Sequence, residues 1–330
     1  MVLTSASASA QSRTDVVVLA NGDRITGEIM SLSRGRLELK TDDAGTIDIE
    51  WEHVARIESA RQFEIAISDG RRLLGTLARA NDRDVSVAGP AGAVTVPMPE
   101  VTRITPIGAS FWARLEGSVD AGFSYTRSSG VAQVNLNADV MFRRPAFLIR
   151  LSGSGTLTYQ SDDSERDDRG AAELSYVRYR GRTWFIAGVT RFDSNESLGI
   201  LLRSQVGGVA GQRLVNTNRA QVELGVGLVG NDERGVDAEP TQNFEGLLWF
   251  SSSYYSYDRP KTNVDASVQY YPSLSNWGRQ RIQIDTRLRR ELLKDFYVSF
   301  DLFFTFDSRP PNPEAARSDL GMGISAGWSF

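Results

Sequence analysis

Residues 296–307 read FYVSFDLFFTFD, and the order of apolar and polar residues in them indicates the fold class of the second half of the chain. Every even position is aromatic or aliphatic and most odd positions are polar, as in an extended strand whose alternate side chains point to opposite faces. The end of the chain repeats the pattern, with apolar side chains at every second position from 320 to 330. Strands of about ten residues that alternate in this way are typical of membrane barrels.

The same alternation runs through residues 111–125, 131–142 and 147–159. Gly and Ala are frequent on the apolar faces, where they would fill a protein core poorly. Aromatic residues fall near the strand ends in two sets. One set comprises Trp112, Phe142, Phe147, Trp184, Tyr254, Phe296 and Trp328, and the other Phe123, Tyr125, Tyr159, Phe192, Phe244, Tyr270 and Phe306. Two aromatic belts around an aliphatic band predict an all-β, transmembrane antiparallel β-barrel over residues 109–330.

Composition excludes several classes of protein. The 330 residues include no Cys, one His (His53) and three Lys among 37 basic residues, with a net charge of −4. Disulfides, thiolate metal sites and two-histidine zinc sites are therefore absent, and nothing suggests nucleic acid as a partner. We expect no cofactor and no metal site, and interpret His53 as a packing or surface residue. No segment has the ~18 apolar residues that a membrane helix needs.

We count twelve strands in the barrel, with ten or fourteen as alternatives because residues 201–215 and 244–256 alternate poorly. Short connections are predicted near 143–145, 181–182, 216–219, 258–261 and 294–295, and generally longer ones at 161–170, 193–200, 230–242, 272–279 and 307–319. Short turns face the periplasm in bacterial outer-membrane barrels. With an even number of strands, this predicts an outer-membrane protein whose residues 13–108 lie in the periplasm.

The first half contains an internal duplication. Residues 19–28 (LANGDRITGE) align with residues 67–76 (ISDGRRLLGT) at an offset of 48, and residues 54–57 align with 101–104 after a one-residue deletion. Asn-Gly and Asp-Gly between short apolar runs predict hairpins. Each copy, 13–58 and 59–108, is thus predicted to form about five short strands.

This pattern resembles SH3-like and Sm-like barrels, which implies two tandem small barrels that bind a peptide, a glycan or another protein; the alternative is a spacer or scaffold. Residues 1–12 contain Ala8-Ser9-Ala10 before Gln11. We interpret them as the remnant of an export signal, the alternative being a disordered terminus.

The carboxyl-terminal residues carry a second resemblance. Phe330 ends the chain, with Trp328 and Ile324 on the same strand face. This resembles the assembly signal that the outer-membrane barrel assembly machinery recognises. With the Arg-Gly-Arg turn at 180–182, this half also resembles the uncharacterised outer-membrane barrels called domain of unknown function 481, some described as salt-induced. That resemblance implies a location and a fold, but no activity.

The predicted lumen is rich in mixed charges but contains no histidine, so the Ser-His and Asp-His pairs of barrel hydrolases are absent. Carboxylate-dependent catalysis, for which Glu245 is also a candidate, is a minor alternative. The predicted pore-lining residues are Arg114, Glu116, Asp120, Asp139, Arg150, Glu173, Arg191, Glu223, Asp265, Arg281, Asp285, Arg287, Arg289 and Asp301.

Two non-enzymatic functions remain open. The first is a narrow solute channel, because twelve strands lie between a filled barrel of eight and a wide porin of sixteen. The second is a closed membrane anchor that presents the tandem module to a periplasmic protein or glycan. In both, the bilayer and the assembly machinery are partners. The acidic segment 161–170 lacks the spacing of a calcium loop and is interpreted as a solvated outer loop.

Overall fold

The computed structural model describes residues 14–81, 83–90, 92–108, 115–126, 131–144, 147–159, 168–235, 239–257, 260–293, 296–311 and 315–329. The chain divides into two compact units, Met1–Ala109 and Ser110–Phe330. In the described ranges, no helix has the length and apolar character required to cross a membrane.

The amino-terminal unit is a nine-stranded antiparallel β structure. Its strands are β1 (Asp15–Leu19), β2 (Arg24–Ser33), β3 (Arg36–Lys40), β4 (Thr46–Glu50), β5 (Val54–Ile67), β6 (Arg72–Arg79), β7 (Asp84–Gly89), β8 (Gly92–Pro97) and β9 (Val101–Pro106). The strand order is β4-β3-β2-β1-β5-β6-β7-β8, and β9 pairs with both β2 and β5.

The two copies of the duplication share one closed ring instead of forming two separate barrels. Strands β1, β2, β9 and β5 close on themselves, because β9 from the second copy pairs with β2 from the first. Strand β5 crosses the predicted boundary between residues 58 and 59, and a single hydrophobic core contains residues of both copies, from Val17 to Ile104. The prediction of two tandem small barrels is corrected accordingly. The SH3-like identity stays a prediction.

Corresponding features of the copies recur in space. Gly22 and Gly70 both turn their hairpins with positive φ, 91° and 85°. Each copy then closes with a single 3₁₀ turn, Trp51–His53 in the first and Met98–Glu100 in the second. The buried Trp51 Nε1 donates a 2.7 Å hydrogen bond to the Met98 carbonyl, so these equivalent turns meet.

The carboxyl-terminal unit is a closed antiparallel barrel of twelve strands, which confirms the predicted number. Its strands are β10 (Leu115–Thr126), β11 (Val131–Arg143), β12 (Phe147–Tyr159), β13 (Arg169–Arg180), β14 (Trp184–Asn195), β15 (Ile200–Asn216), β16 (Ala220–Gly235), β17 (Thr241–Ser256), β18 (Thr262–Pro272), β19 (Gln280–Leu293), β20 (Phe296–Asp307) and β21 (Ser318–Ser329).

The poor alternation near residues 201–215 and 244–256 has a structural cause. Strands β15, β16 and β17 carry apolar side chains on both faces. A small cluster of Val229, Leu247 and Tyr271, with Val209 and Trp249 packed against it, occupies the inner face. A polar-apolar alternation cannot appear where the inner wall is itself apolar.

The barrel closes through a short seam between its first and last strands. The register of β10 with β21 covers residues 118–121 and 326–329. By comparison, the register of β10 with β11 covers residues 115–126 and 131–142. The join that makes the sheet a ring is therefore much shorter than the ladder beside it.

Candidate functional site: the barrel lumen

The near end of the barrel is defined here as the end at which β10 begins and β21 ends, and the far end as the opposite one. Large apolar side chains at alternate strand positions are exposed on the outer face, among them Phe123, Leu151, Leu174, Ile186, Val206, Leu228, Leu248, Met322 and Ile324. The intervening side chains include residues that contact strands which are not their neighbours. These side chains therefore face the lumen.

The outer face also carries the predicted aromatic residues near both ends. Trp184, Tyr254 and Trp328 are exposed near the near end, and Phe123 and Phe192 near the far end. Trp112 and the side chain of Tyr125 lie outside the described residues. Ile324 and Trp328 both point outward on β21, while Phe330 lies outside the described range, so the assembly signal stays a prediction.

The predicted pore-lining residues from Glu116 to Asp301 occupy inward-facing strand positions, and Arg114 lies outside the described residues. That they line a conducting pore stays a prediction. Most of them occur in pairs across neighbouring strands. The pairs are Asp139 with Arg150 (2.6 Å), Glu173 with Arg191 (3.4 Å), Arg287 with Asp301, and Asp265 with Ser253 (2.6 Å). Glu223 pairs with Arg213 (2.9 Å), a residue outside the predicted set.

Asp120 is the centre of a polar cluster near the near end. Its carboxylate accepts hydrogen bonds from Asn137 Nδ2 (2.9 Å) and Tyr297 Oη (3.0 Å), and Arg289 lies 3.5 Å away. Ser325 Oγ is 3.4 Å from the same carboxylate. Asp120 and Arg289 are among the residues predicted from the sequence to line the lumen, whereas Tyr297 and Ser325 are not.

A buried lattice of four charged side chains fills the lumen near the far end. Arg279 bridges Glu233 (2.7 Å) and Asp307 (2.6 Å), and Arg203 bridges the same two carboxylates at 2.6 and 3.4 Å. The exposed fraction of these four side chains is between 0 and 3%. Each carboxylate thus faces two guanidinium groups, which offsets part of the cost of removing the charges from water.

A second far-end pair joins Arg281 to Glu245, with Nε to Oε1 at 2.9 Å. Asn231 Nδ2 also donates to Glu245 at 2.8 Å. Asp285, another predicted residue of β19, lies in register with Ser267 and Phe303. Glu245 is thus held by Arg281 and Asn231, and its carboxylate is not free to act as a general base.

Three contacts cross the far half of the lumen. The Arg169 guanidinium on β13 lies 3.5 Å from the ring centroid of Phe303 on β20. Asn195 Nδ2 on β14 donates to Asp319 on β21 at 2.9 Å, and Arg203 on β15 reaches Asp307 on β20. These strand pairs are five apart around the twelve-stranded ring, so side chains extend across the interior and not only along the wall.

Sequence reasoning missed Asp193, Glu233, Arg279 and Asp307 because it placed them at or within the long connections. The strands extend further: β14 to Asn195 and β16 to Gly235. A signal was present in β16, since Asn231, Glu233 and Gly235 continue the inward-facing positions of Val229. Arg203 was missed because its strand alternates poorly. Residues 160–167, most of the predicted acidic loop, lie outside the described residues.

His53 lies on an exposed turn of the amino-terminal unit, where its Nε2 is 3.3 Å from Glu50. One ligand atom each from Glu50, Glu52 and His53 lie within 4.8 Å of one another. Nothing else in the described residues points to an ion there, and the expectation of no metal site stays a prediction.

A family model described as "Protein of unknown function, DUF481" matches residues 119–330. The chain belongs to this family. A comparison with curated proteins gives no match.

Among solved structures, the chain is similar to the KdgM porin in complex with disordered oligogalacturonate, with 12% identity, 66% of this chain and 99% of the porin covered, and a TM-score of 0.37. It is similar to the NanC porin at 8% identity, with 65% and 100% covered and a TM-score of 0.41. The β domain of the Bordetella autotransporter BrkA gives 10% identity, 66% and 97% covered, and a TM-score of 0.32.

Proposed function

We propose that the chain is a non-enzymatic outer-membrane β-barrel protein whose barrel is closed to solutes and anchors the amino-terminal unit on the periplasmic side. The apolar outer face supports placement in a membrane, because the outward-facing side chains of a membrane barrel contact hydrocarbon. The partner of the amino-terminal unit would be a periplasmic protein or glycan.

The observation that carries the closed state is the set of contacts across the lumen. The Arg169–Phe303 contact joins strands nearly opposite one another, and the Arg203–Glu233–Arg279–Asp307 lattice fills the space beside it with side chains that water barely reaches. An aqueous pore would leave such charged groups hydrated. We therefore infer that this layer blocks a hydrated solute.

Single-channel recording of the full-length chain in planar bilayers tests the closed barrel. The protein should insert, as shown by a heat-modifiable gel shift and outer-membrane fractionation, and yet carry no steady ohmic current. R169A/F303A removes one crossing contact and should raise the conductance. The control L174A/F300A alters outward-facing side chains on the same two strands and should leave the conductance unchanged.

A narrow channel is the second candidate, and the near half of the lumen favours it. Arg150 is 51% exposed on the inner face, and Arg287 and Asp301 are about a quarter exposed. Charged groups in contact with water could set ion selectivity in a passage that opens when the far-end lattice moves. A steady ohmic current from the unmodified protein would establish this candidate and contradict the closed barrel.

A further inference from the structure

Four arginines cluster on the outer face of the barrel at its near end. Arg178 and Arg180 occupy outward-facing positions of β13, continuing the face of Tyr176. Arg182 follows in the β13–β14 turn, and Arg144 lies in the β11–β12 turn. All four are exposed.

The register brings these residues onto adjoining strands. Arg178 lies opposite Phe147 of β12, and the Arg144 backbone N–H donates to the Phe147 carbonyl at 2.8 Å. On the other side, Arg180 lies opposite Trp184 of β14. The arginine cluster is thus one continuous surface across β12, β13 and β14.

No acidic side chain balances this charge in the part of the chain that the structure describes. None of the four arginines forms an ion pair there, and the outward-facing positions of the described near-end strands include no Asp or Glu. The ion pairs described at this end, among them Arg289–Asp120, Arg213–Glu223 and Lys261–Glu291, involve none of these four arginines. Clustered like charges repel one another, so an anionic partner would relieve an existing electrostatic cost.

Aromatic rings place the cluster at the level of a membrane surface. Phe147 stacks against Tyr176 with ring centroids 5.5 Å apart and lies 6.4 Å from Phe142, and Trp184 is 57% exposed. Such rings occupy the headgroup region of a bilayer, and arginine side chains near strand ends extend toward the same level. The planar guanidinium group also matches a phosphate with two parallel hydrogen bonds.

We propose that this arginine cluster binds the phosphate headgroups of anionic phospholipids in the leaflet at the near end. The inference rests on the proposed function, since it needs the barrel to span a membrane. The charge identifies an anion, and the unbroken continuation of the cluster into exposed aromatic and aliphatic side chains identifies a lipid, because a lipid offers phosphate and acyl chain together.

Native mass spectrometry of the full-length chain tests the proposal. The protein is folded in nanodiscs of equimolar phosphatidylglycerol and phosphatidylcholine with identical acyl chains, and the retained lipids are counted. The unmodified chain should retain phosphatidylglycerol in preference by about fivefold or more, since each arginine near a surface favours anionic lipid by about that factor. R178Q/R180Q should lower the ratio severalfold, leaving only the contribution of Arg144 and Arg182.

The control R234Q/R317Q removes the same charge at the far end and should keep the preference. A folded barrel that retains both lipids equally overturns the headgroup proposal and leaves the proposed function intact. A chain that does not insert overturns the proposed function itself. If excess inorganic phosphate abolishes the preference, the cluster is a general anion site, and the assignment to lipid is wrong.

Discussion

Among single residues, Arg203 is the lumen side chain whose loss should cost the most stability. Its guanidinium lies within 3.6 Å of carboxylates on three strands: Asp193, Glu233 and Asp307. R203M would leave two buried carboxylates sharing the single remaining Arg279. Breaking a buried pair in this way costs about 3–5 kcal/mol.

Urea unfolding of the full-length chain, with the heat-modifiable gel shift as the readout, measures this loss of stability. R234M is the control, because Arg234 is exposed and its pairing with Asp232 at 3.7 Å should contribute less than about 1 kcal/mol. Equal losses for the two variants would contradict the structural role of the lattice.

In the amino-terminal unit, replacement of Asp15 should also cause a large loss of stability. Its fully buried carboxylate accepts hydrogen bonds from the Ile29 backbone N–H (2.8 Å), Ser59 Oγ and Arg61 Nη1 (3.3 Å). D15A would leave these donors without an acceptor, and each buried group left unpaired should cost about 1–3 kcal/mol of stability. Hydrogen exchange of residues 15–106 in the full chain should accelerate; D23A, at an exposed turn, should leave it unchanged.

How far residue roles can be predicted depends on the distance between partners. Alternation alone assigned Asp120, Arg281 and Arg289 to the inner face, because side-chain direction is a local property of a strand. It did not predict that Tyr297 meets Asp120, since 177 residues separate them. Partners of that kind follow from the closure of the ring, which no local pattern contains.

At the scale of the elements, inward-facing glycines make room for aromatic rings on neighbouring strands. A Cβ atom at Gly321 would lie 2.2 Å from the Phe303 ring, and one at Gly211 would lie 2.3 Å from Phe185. In the strand pairs β20–β21 and β14–β15, an aromatic ring on one strand therefore occupies the space beside a glycine on the other. At Gly321 and Gly211, this need for space accounts for a residue that lowers strand propensity.

G321V should displace Phe303 from its contact with Arg169 and cost about 1–3 kcal/mol through overpacking. G188V is the matched control, because a Cβ at Gly188 meets nothing within 4 Å. Thermal midpoints of the two variants in the same detergent separate them. If G188V lowered the thermal midpoint as much as G321V, the contact between the Phe303 ring and residue 321 would not be the cause of the destabilisation.

The number and order of the barrel strands could be predicted, whereas the ends of the strands could not. Strand β16 continues through Asp232, Glu233 and Arg234, a charged sequence that is typical of a loop. These residues remain in the ladder because Glu233 has partners inside the lumen. Tertiary pairing thus overrides a local preference that the sequence expresses correctly.

At the scale of the whole molecule, the duplicated unit should fold only as a pair of copies. Its ring needs β9 from the second copy to close against β2 and β5. A fragment of residues 14–60 should therefore lack cooperative thermal unfolding by circular dichroism, while residues 14–108 should show it. Cooperative unfolding of the short fragment would mean that each copy closes its own barrel.

The sequence predicted a duplication, but not the joining of the two predicted copies in one ring. Both arrangements use the same hairpins at Gly22 and Gly70, and they differ only in which strand closes the ring. The two are distinguished by non-local pairings such as Leu32 with Ile104. Apolar periodicity is identical in the two cases.

The short seam between β10 and β21 gives the molecule a preferred place to come apart. When the barrel is heated or pulled, two strands should separate first where the fewest hydrogen bonds join them. Here that is the pairing of residues 118–121 with residues 326–329. Separation there would convert the closed barrel into an open sheet whose edge strands, β10 and β21, have unpaired backbone groups. During insertion, the pairing of β10 with β21 would then be the last to form, after the other eleven strand pairings.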